Sequence, residues 1–121
     1  MSNILIIDDE DAIVLVVKEA LESFGFNVEI ATDGLEGIKK YDEDHFDLVI
    51  TDIRMPGLDG YSVSKHIRNF DIENTPIIGI SGTPWLLKDN NFDAVLEKPF
   101  SIKTLINIIV HLKKEQHCGN V

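Results

Sequence analysis

Three acidic residues directly follow apolar segments of the sequence, and their carboxylates are the groups best suited to chemistry. Asp8 and Asp9 come after the apolar run of residues 4–7, and Asp52 ends the segment that begins at residue 48. Continuous apolar runs of this length are typical of strands buried on both faces of a parallel sheet. Carboxylates crowded at neighbouring strand ends raise one another's pKa unless a cation compensates their charge. A divalent cation with oxygen ligands, Mg²⁺ in particular, would provide that compensation.

Two further polar residues follow other apolar segments. Ser81 ends the run of residues 77–80, and Lys98 comes shortly after Val95-Leu96. Taken singly, the serine can be a turn residue, the lysine a solvated surface charge and the acidic pair a helix cap. In open α/β sheets, however, ligands bind outside the carboxyl ends of the strands. The sequence therefore predicts that carboxylates, a hydroxyl and an ammonium meet at one edge of a sheet.

Strand-like runs alternate with helical periodicity along the chain, and this alternation predicts the elements that position those residues. Apolar residues at positions 13, 16, 17, 20, 21 and 24 share one face of a helix that Gly25 ends. Further helices are predicted around residues 35–41, over 60–70 and after Ser101, which can cap the last one. Strands are predicted near residues 4–7, 28–30, 48–50, 77–80 and 95–96. Repeated alternation indicates an α/β fold with a parallel sheet covered on both faces.

Length and charge exclude several classes of function. The chain has 121 residues, which predicts one domain over 1–121, with residues from about 115 to 121 as a frayed tail. Its net charge of −10 disfavours direct binding of nucleic acid or of an anionic membrane surface. A single cysteine, Cys118, and the absence of a readable signal peptide favour a cytoplasmic location.

Several separated motifs together resemble the receiver domain of two-component response regulators. They are Asp8-Asp9-Glu10, Asp52 followed by Met55-Pro56 and Asp59-Gly60, Ser81, and Lys98-Pro99-Phe100. The resemblance extends from residue 3 to about residue 111. It implies a doubly wound, flavodoxin-like sheet of five parallel strands in the order 2-1-3-4-5, with five helices. It also implies a cis peptide bond between Lys98 and Pro99.

The resemblance assigns a role to each site residue. Asp52 matches the phosphoacceptor, which takes a phosphoryl group from a sensor histidine kinase or a phosphotransfer protein. Asp9 and Asp52 match direct Mg²⁺ ligands together with the backbone carbonyl of Arg54, and Asp8 matches a ligand acting through water. Lys98 matches the cation that contacts the phosphoryl oxygens, and Ser81 matches the switch hydroxyl.

The chain departs from the family pattern in two places. Many receivers have an aromatic residue where this chain has Val95, and Ser81 and Lys98 are only 17 positions apart. The fourth helix is therefore expected to be short, capped by Thr83, with Trp85 packing inward. Many receivers dimerise through a face formed by their fourth helix, fifth strand and fifth helix. Because the short helix and Val95 reduce that face in this chain, we expect the chain to act as a monomer that docks on an unidentified output protein.

Other classes of function fit the sequence less well than the receiver does. A Mg²⁺-dependent phosphohydrolase with an aspartyl-phosphate intermediate needs a second acid two positions after its nucleophile, where this chain has Arg54, and a cap for which the chain has no length. A flavin-binding module needs a phosphate loop after the first strand, where Asp8-Asp9-Glu10 would repel phosphate. A phosphorylation-independent adaptor usually lacks the acidic residues. The receiver is the prediction, with no enzymatic role beyond its own phosphorylation and dephosphorylation.

Overall fold

The computed structural model describes residues 2–70, 74–82 and 91–118, without the side chains of residue 70 and residues 114–118. The strands are β1 (Asn3–Ile7), β2 (Asn27–Ala31), β3 (Leu48–Asp52), β4 (Ile77–Ser81) and β5 (Ala94–Glu97). The helices within the described residues are α1 (Asp11–Ser23), α2 (Gly34–Glu43), α3 (Gly60–Phe70) and α4 (Ile102–Cys118).

The five strands form one parallel sheet in the order β2-β1-β3-β4-β5. This order confirms the predicted doubly wound fold. Four helices are seen in the described part of the chain instead of five, because the expected short fourth helix falls on residues 83–90, outside the described residues. The expected cap at Thr83 and the inward packing of Trp85 lie there as well.

The buried side chains form two clusters, one on each face of the sheet. In β1, Ile4 and Ile6 contribute to the cluster beneath α1 and α4, whereas Leu5 and Ile7 contribute to the cluster beneath α2 and α3. All four side chains are at most 2% exposed. Burying a side chain of this size stabilises the fold by about 1.5–3 kcal/mol, so the continuous apolar run is explained by burial on both faces.

The last helix, α4, begins as the sequence predicts and ends later. Ser101 Oγ accepts a hydrogen bond of 3.1 Å from the backbone N–H of Thr104, which confirms the predicted cap. The helix then continues to Cys118, so residues 115–118, expected to belong to a frayed tail, are helical. Residues 113–116 are Lys-Lys-Glu-Gln, all strong helix formers, which explains why the helix persists beyond its apolar stripe.

Among the helices of the described residues, none combines the length and the apolar composition that a transmembrane segment requires.

Candidate functional site

Four strands bring the predicted site residues to one edge of the sheet. Asp8 directly follows β1, Asp52 ends β3, Ser81 ends β4, and Lys98 follows β5. The first three are buried, with exposed fractions of 2%, 4% and 3%. Because parallel strands all end at the same edge, the topology alone explains how positions so distant in sequence converge.

The Asp52 carboxylate has a partner for each of its two oxygens. Oδ2 accepts a hydrogen bond of 3.0 Å from Lys98 Nζ, and Oδ1 accepts one of 3.3 Å from the backbone N–H of Arg54. Gly60 packs directly against the backbone of Asp52, since a Cβ at position 60 would lie 2.6 Å from the backbone oxygen of Asp52. The carboxylate is thus held at a fixed position on a fully buried strand.

Asp8 is the buried acid next to Asp52. Its Oδ1 accepts a hydrogen bond of 3.0 Å from the backbone N–H of Glu10. The pKa of Asp8 is raised to about 6, mainly by burial and also by the negative charge of Asp52, against the lowering effect of that hydrogen bond. At neutral pH this carboxylate is therefore charged at a free-energy cost that a nearby cation would relieve.

Lys98 bridges two carboxylates. Its Nζ lies 3.0 Å from Asp52 Oδ2 and 3.0 Å from Glu10 Oε1. Burial lowers the pKa of Lys98, but the hydrogen bonds to Glu10 and Asp52 and the charges of Asp52 and Asp8 outweigh it, so the pKa lies above its ordinary value. The peptide bond to Pro99 is cis, which confirms the expectation for this bond.

The third carboxylate of the cluster is Glu10. Ligand oxygens of Asp8, Glu10 and Asp52 all lie within 4.8 Å of one another, whereas Asp9 is exposed and is not part of this group. The sequence motif contained Glu10, but nothing in the pattern showed which acid would turn toward the site. That choice depends on the contact with Lys98, which is 88 positions away. The ligand roles of Asp9 and of the Arg54 carbonyl stay predictions.

Ser81 lies at the site's edge of the sheet as predicted. Its backbone carbonyl accepts a hydrogen bond of 2.9 Å from the N–H of Lys98, so the turn that carries the lysine is tied to the end of β4. This bond fixes the start of the Lys98 side chain relative to β4. The side chain of Ser81 is buried, and its predicted role as a switch hydroxyl stays a prediction.

The donor set suits a magnesium ion. Three carboxylates close together offer hard oxygen ligands, which Mg²⁺ and Ca²⁺ prefer over nitrogen or sulfur. Glu10 is half-exposed, so the cluster is open to solvent on one side and leaves room for the water ligands that Mg²⁺ retains. The residues present therefore fit the cation that the sequence predicts.

An apolar groove of about 600 Å³ lies beside this cluster. It runs between α1 and the segment that follows β5, and Lys98 lines it together with Ile13, Val16, Pro99 and Phe100. Val16 is 59% exposed, so it presents an apolar side chain to solvent beside the polar site.

Comparison with known proteins places this geometry in a family. The sequence profile of the response regulator receiver domain matches residues 4–110. The chain is 38% identical over 93 residues to the alkaline phosphatase synthesis transcriptional regulatory protein PhoP of Bacillus subtilis, covering 77% of this chain and 36% of that protein. It is 32% identical over 115 residues to the transcription factor SKN7 of Candida albicans, covering 88% of this chain and 20% of that protein.

Solved structures agree with these sequence matches. The response regulator protein TrrA of Thermotoga maritima, determined in complex with Mg²⁺ and BeF, has a TM-score of 0.84 and 32% identity, covering 93% of this chain and 99% of that one. Among the curated relatives compared, the chain spans from 6% to 56% of their length. The profile matches most of the chain, and the strand order β2-β1-β3-β4-β5 is the one that the receiver resemblance implies. The chain therefore belongs to the response regulator receiver domain family.

Proposed function

We propose that this chain is a phosphoacceptor receiver and that Asp52 takes the phosphoryl group from a phosphohistidine of a sensor kinase or a phosphotransfer protein. The observation that carries the proposal is the Asp52 carboxylate itself. It is 4% exposed at the end of β3, 3.0 Å from the Lys98 ammonium and within a cluster of three carboxylates.

The transfer replaces a phosphorus–nitrogen bond with a phosphorus–oxygen bond. A carboxylate oxygen of Asp52 forms a bond to phosphorus, and the bond between phosphorus and the histidine nitrogen breaks. The electron pair of that bond stays on the imidazole nitrogen, and the product is an acyl phosphate on Asp52. Phosphoryl transfer requires positioning and charge stabilisation above all. The Lys98 ammonium, held beside the accepting carboxylate, stabilises charge on the phosphoryl oxygens.

A bound Mg²⁺ would neutralise negative charge on the transferred group. Asp8 and Asp52 would hold it, with Glu10 or Asp9 and the carbonyl of Arg54 as further ligands. The buried position of Asp8 supports its part in this set, because a carboxylate so poorly solvated gains more from a nearby cation than an exposed one.

The phosphohydrolase alternative gains no support from the site. It requires an acid two positions after Asp52, and Arg54 occupies that position with its backbone N–H on the Asp52 carboxylate. A guanidinium cannot act there as a general acid or base, because it stays protonated at all physiological pH values.

Chemical phosphorylation tests the proposal. We expect acetyl phosphate with Mg²⁺ to add one acid-stable, base-labile phosphoryl group, and EDTA or Asp52→Asn to abolish it. Asp47→Asn, which neutralises a half-buried carboxylate at the opposite end of the strands, is the matched control and should be labelled like the wild type. Equal labelling of the Asp52→Asn protein would overturn the proposal.

The apolar groove supports a finer proposal about the partner. The histidine-bearing surface must approach Asp52, and the groove adjoins the site at Lys98, so we propose that the phosphodonor protein packs against it. Val16→Asp should slow phosphotransfer from the cognate kinase at least tenfold and leave labelling by acetyl phosphate unchanged. Leu15→Asp is the control, because Leu15 is 57% exposed yet is not among the described residues that line the groove. Equal effects of the two variants would contradict this docking surface.

A further inference from the structure

We propose that Glu10 is a positioning residue that couples cation binding at the site to the position of the Lys98 ammonium. The inference rests on the proposed function of the site. The Glu10 carboxylate lies 3.0 Å from Lys98 Nζ and also belongs to the cluster with Asp8 and Asp52. One carboxylate thus faces two cations, the ammonium of Lys98 and the divalent cation that the cluster fits.

Among the three acids, Glu10 is the one able to change its partner. Asp8 and Asp52 lie at strand ends, are buried, and each accepts a hydrogen bond from a backbone N–H. Glu10 is 50% exposed, and its longer side chain starts from a backbone that Asp8 holds at the beginning of α1. Its carboxylate can therefore rearrange without any movement of the strands.

The charges set the direction of the coupling. Lys98 Nζ is shared between Glu10 and Asp52 at equal distances of 3.0 Å. A divalent cation in the cluster attracts the Glu10 carboxylate and repels the ammonium, so the ion pair between Glu10 and Lys98 weakens. The ammonium is then released from one of its two partners and becomes available to the phosphoryl oxygens at Asp52. By the same competition, Lys98 lowers the affinity of the site for the cation.

A double-mutant cycle on Mg²⁺ affinity tests the coupling without any phosphorylation. The Kd for Mg²⁺ is measured by isothermal titration calorimetry for the wild type, Glu10→Gln, Lys98→Met and the double variant. Removing the ammonium should tighten Mg²⁺ binding roughly tenfold in the wild type, because it ends both the direct repulsion of the cation and the competition for the Glu10 carboxylate. In the Glu10→Gln background the same change should tighten binding less than about threefold, since the competition for Glu10 is absent.

Controls separate this coupling from general charge and folding effects. Asp11→Asn removes one negative charge from the adjacent exposed residue, and in that background Lys98→Met should still tighten Mg²⁺ binding roughly tenfold. Circular dichroism establishes that each variant is folded, and Lys98→Gln replaces Lys98→Met if the latter unfolds.

The outcomes distinguish this inference from the proposed function. Equal tightening in the wild-type and Glu10→Gln backgrounds would overturn the role of Glu10, as would a wild-type chain that does not bind Mg²⁺. Failure of acetyl phosphate to label Asp52 would overturn the proposed function, and the binding cycle would still report on the coupling. Coupling of at least about threefold in a chain that is labelled at Asp52 would support both.

Discussion

The Lys98 ammonium lies 3.0 Å from the Asp52 carboxylate, although the two residues are 46 positions apart in the sequence. Asp52 ends β3 and Lys98 follows β5, so the contact spans β4, the strand that separates them in the sheet. The backbone hydrogen bond from Lys98 to Ser81 fixes the height of the lysine relative to β4. The contact therefore depends on strand order and register together.

The pH dependence of stability should report on Asp8. Its pKa of about 6 in the folded state exceeds the value of 3.8 expected without the fold, so the folded protein binds more protons and loses stability as pH rises from about 4 to about 6. Without Mg²⁺, Asp8→Asn should therefore be more stable than the wild type at pH 7.5, by roughly 2 kcal/mol, and by much less at pH 4. Urea denaturation in EDTA at the two pH values measures this difference.

The control for this prediction is Asp9→Asn, which removes a charge from the exposed neighbour and should change the stability by less than about 0.5 kcal/mol. Saturating Mg²⁺ should favour the wild type over Asp8→Asn, because a ligand stabilises the form that binds it more tightly. A constant stability difference between wild type and Asp8→Asn from pH 4 to pH 7.5 would contradict the assignment of the shift to Asp8.

Gly60 should tolerate no side chain, because the backbone that carries Asp52 lies against it. An added Cβ would be 2.6 Å from the backbone oxygen of Asp52 and 2.6 Å from the Cα of Ile53, and neither atom can move without moving β3. Gly60→Ala should lower the free energy of unfolding by about 1–3 kcal/mol, as overpacked sites do. It should also slow labelling of Asp52 by acetyl phosphate.

Gly82→Ala is the matched control, since a Cβ there would have no described atom within 4 Å. Its effect on the urea midpoint should correspond to less than about 0.5 kcal/mol. Equal stability of Gly60→Ala and Gly82→Ala would contradict this prediction, because it would mean that the backbone accommodates a Cβ at position 60 without loss of unfolding free energy.

The strands and the main helices could be predicted from the sequence because their residues form short, continuous patterns. The run at residues 4–7 is apolar throughout because alternate side chains fill two different clusters, and this dictates a buried strand. The strand order, by contrast, came from the family resemblance, since several parallel orders satisfy the same pattern. Helix α4 extends beyond the end that its apolar stripe predicts, because strong helix formers follow the stripe and apolar periodicity does not register them.

The site could be predicted residue by residue only where strand ends dictate position. Asp8, Asp52 and Lys98 were expected to meet, and they do. Which of Asp9 and Glu10 places its carboxylate in the site could not be predicted, because this depends on a side-chain contact between Glu10 and Lys98, 88 positions apart. Periodicity carries no information about such rotamers, which depend on local packing and charge.

Arg68 should contribute to stability through its planar fork of donors. It donates from one guanidinium to the backbone oxygens of Thr75 at 2.7 Å and Asn91 at 3.1 Å, and it pairs with the carboxylate of Asp93. These contacts tie the end of α3 to the chain just before β4 and β5. Arg68→Ala should cost about 2 kcal/mol of unfolding free energy, because acceptors and a carboxylate lose a charged donor.

Arg68→Lys should lose most of the same stability, since one ammonium cannot reach three separated acceptors as the guanidinium does. Lys65→Ala, an exposed position on the same helix, is the control and should change stability by less than about 0.5 kcal/mol. Thermal and urea denaturation measure both. Full stability of Arg68→Lys would show that the charge, and not the fork geometry, provides the stabilisation.

The last prediction is that the chain remains a monomer when its acceptor site is loaded. Val95, where many receivers have an aromatic residue, is on β5, is 38% exposed and pairs with Gly79 of β4, so β5 offers no aromatic side chain at this position to link it to the site. A net charge of −10 also opposes self-association. Sedimentation velocity with Mg²⁺ and beryllofluoride, a mimic of the phosphoryl group, should give the same monomeric coefficient as without them. A shift to dimer that Lys103→Glu, an exposed position on α4, abolishes would show that the face of β5 and α4 does assemble on activation.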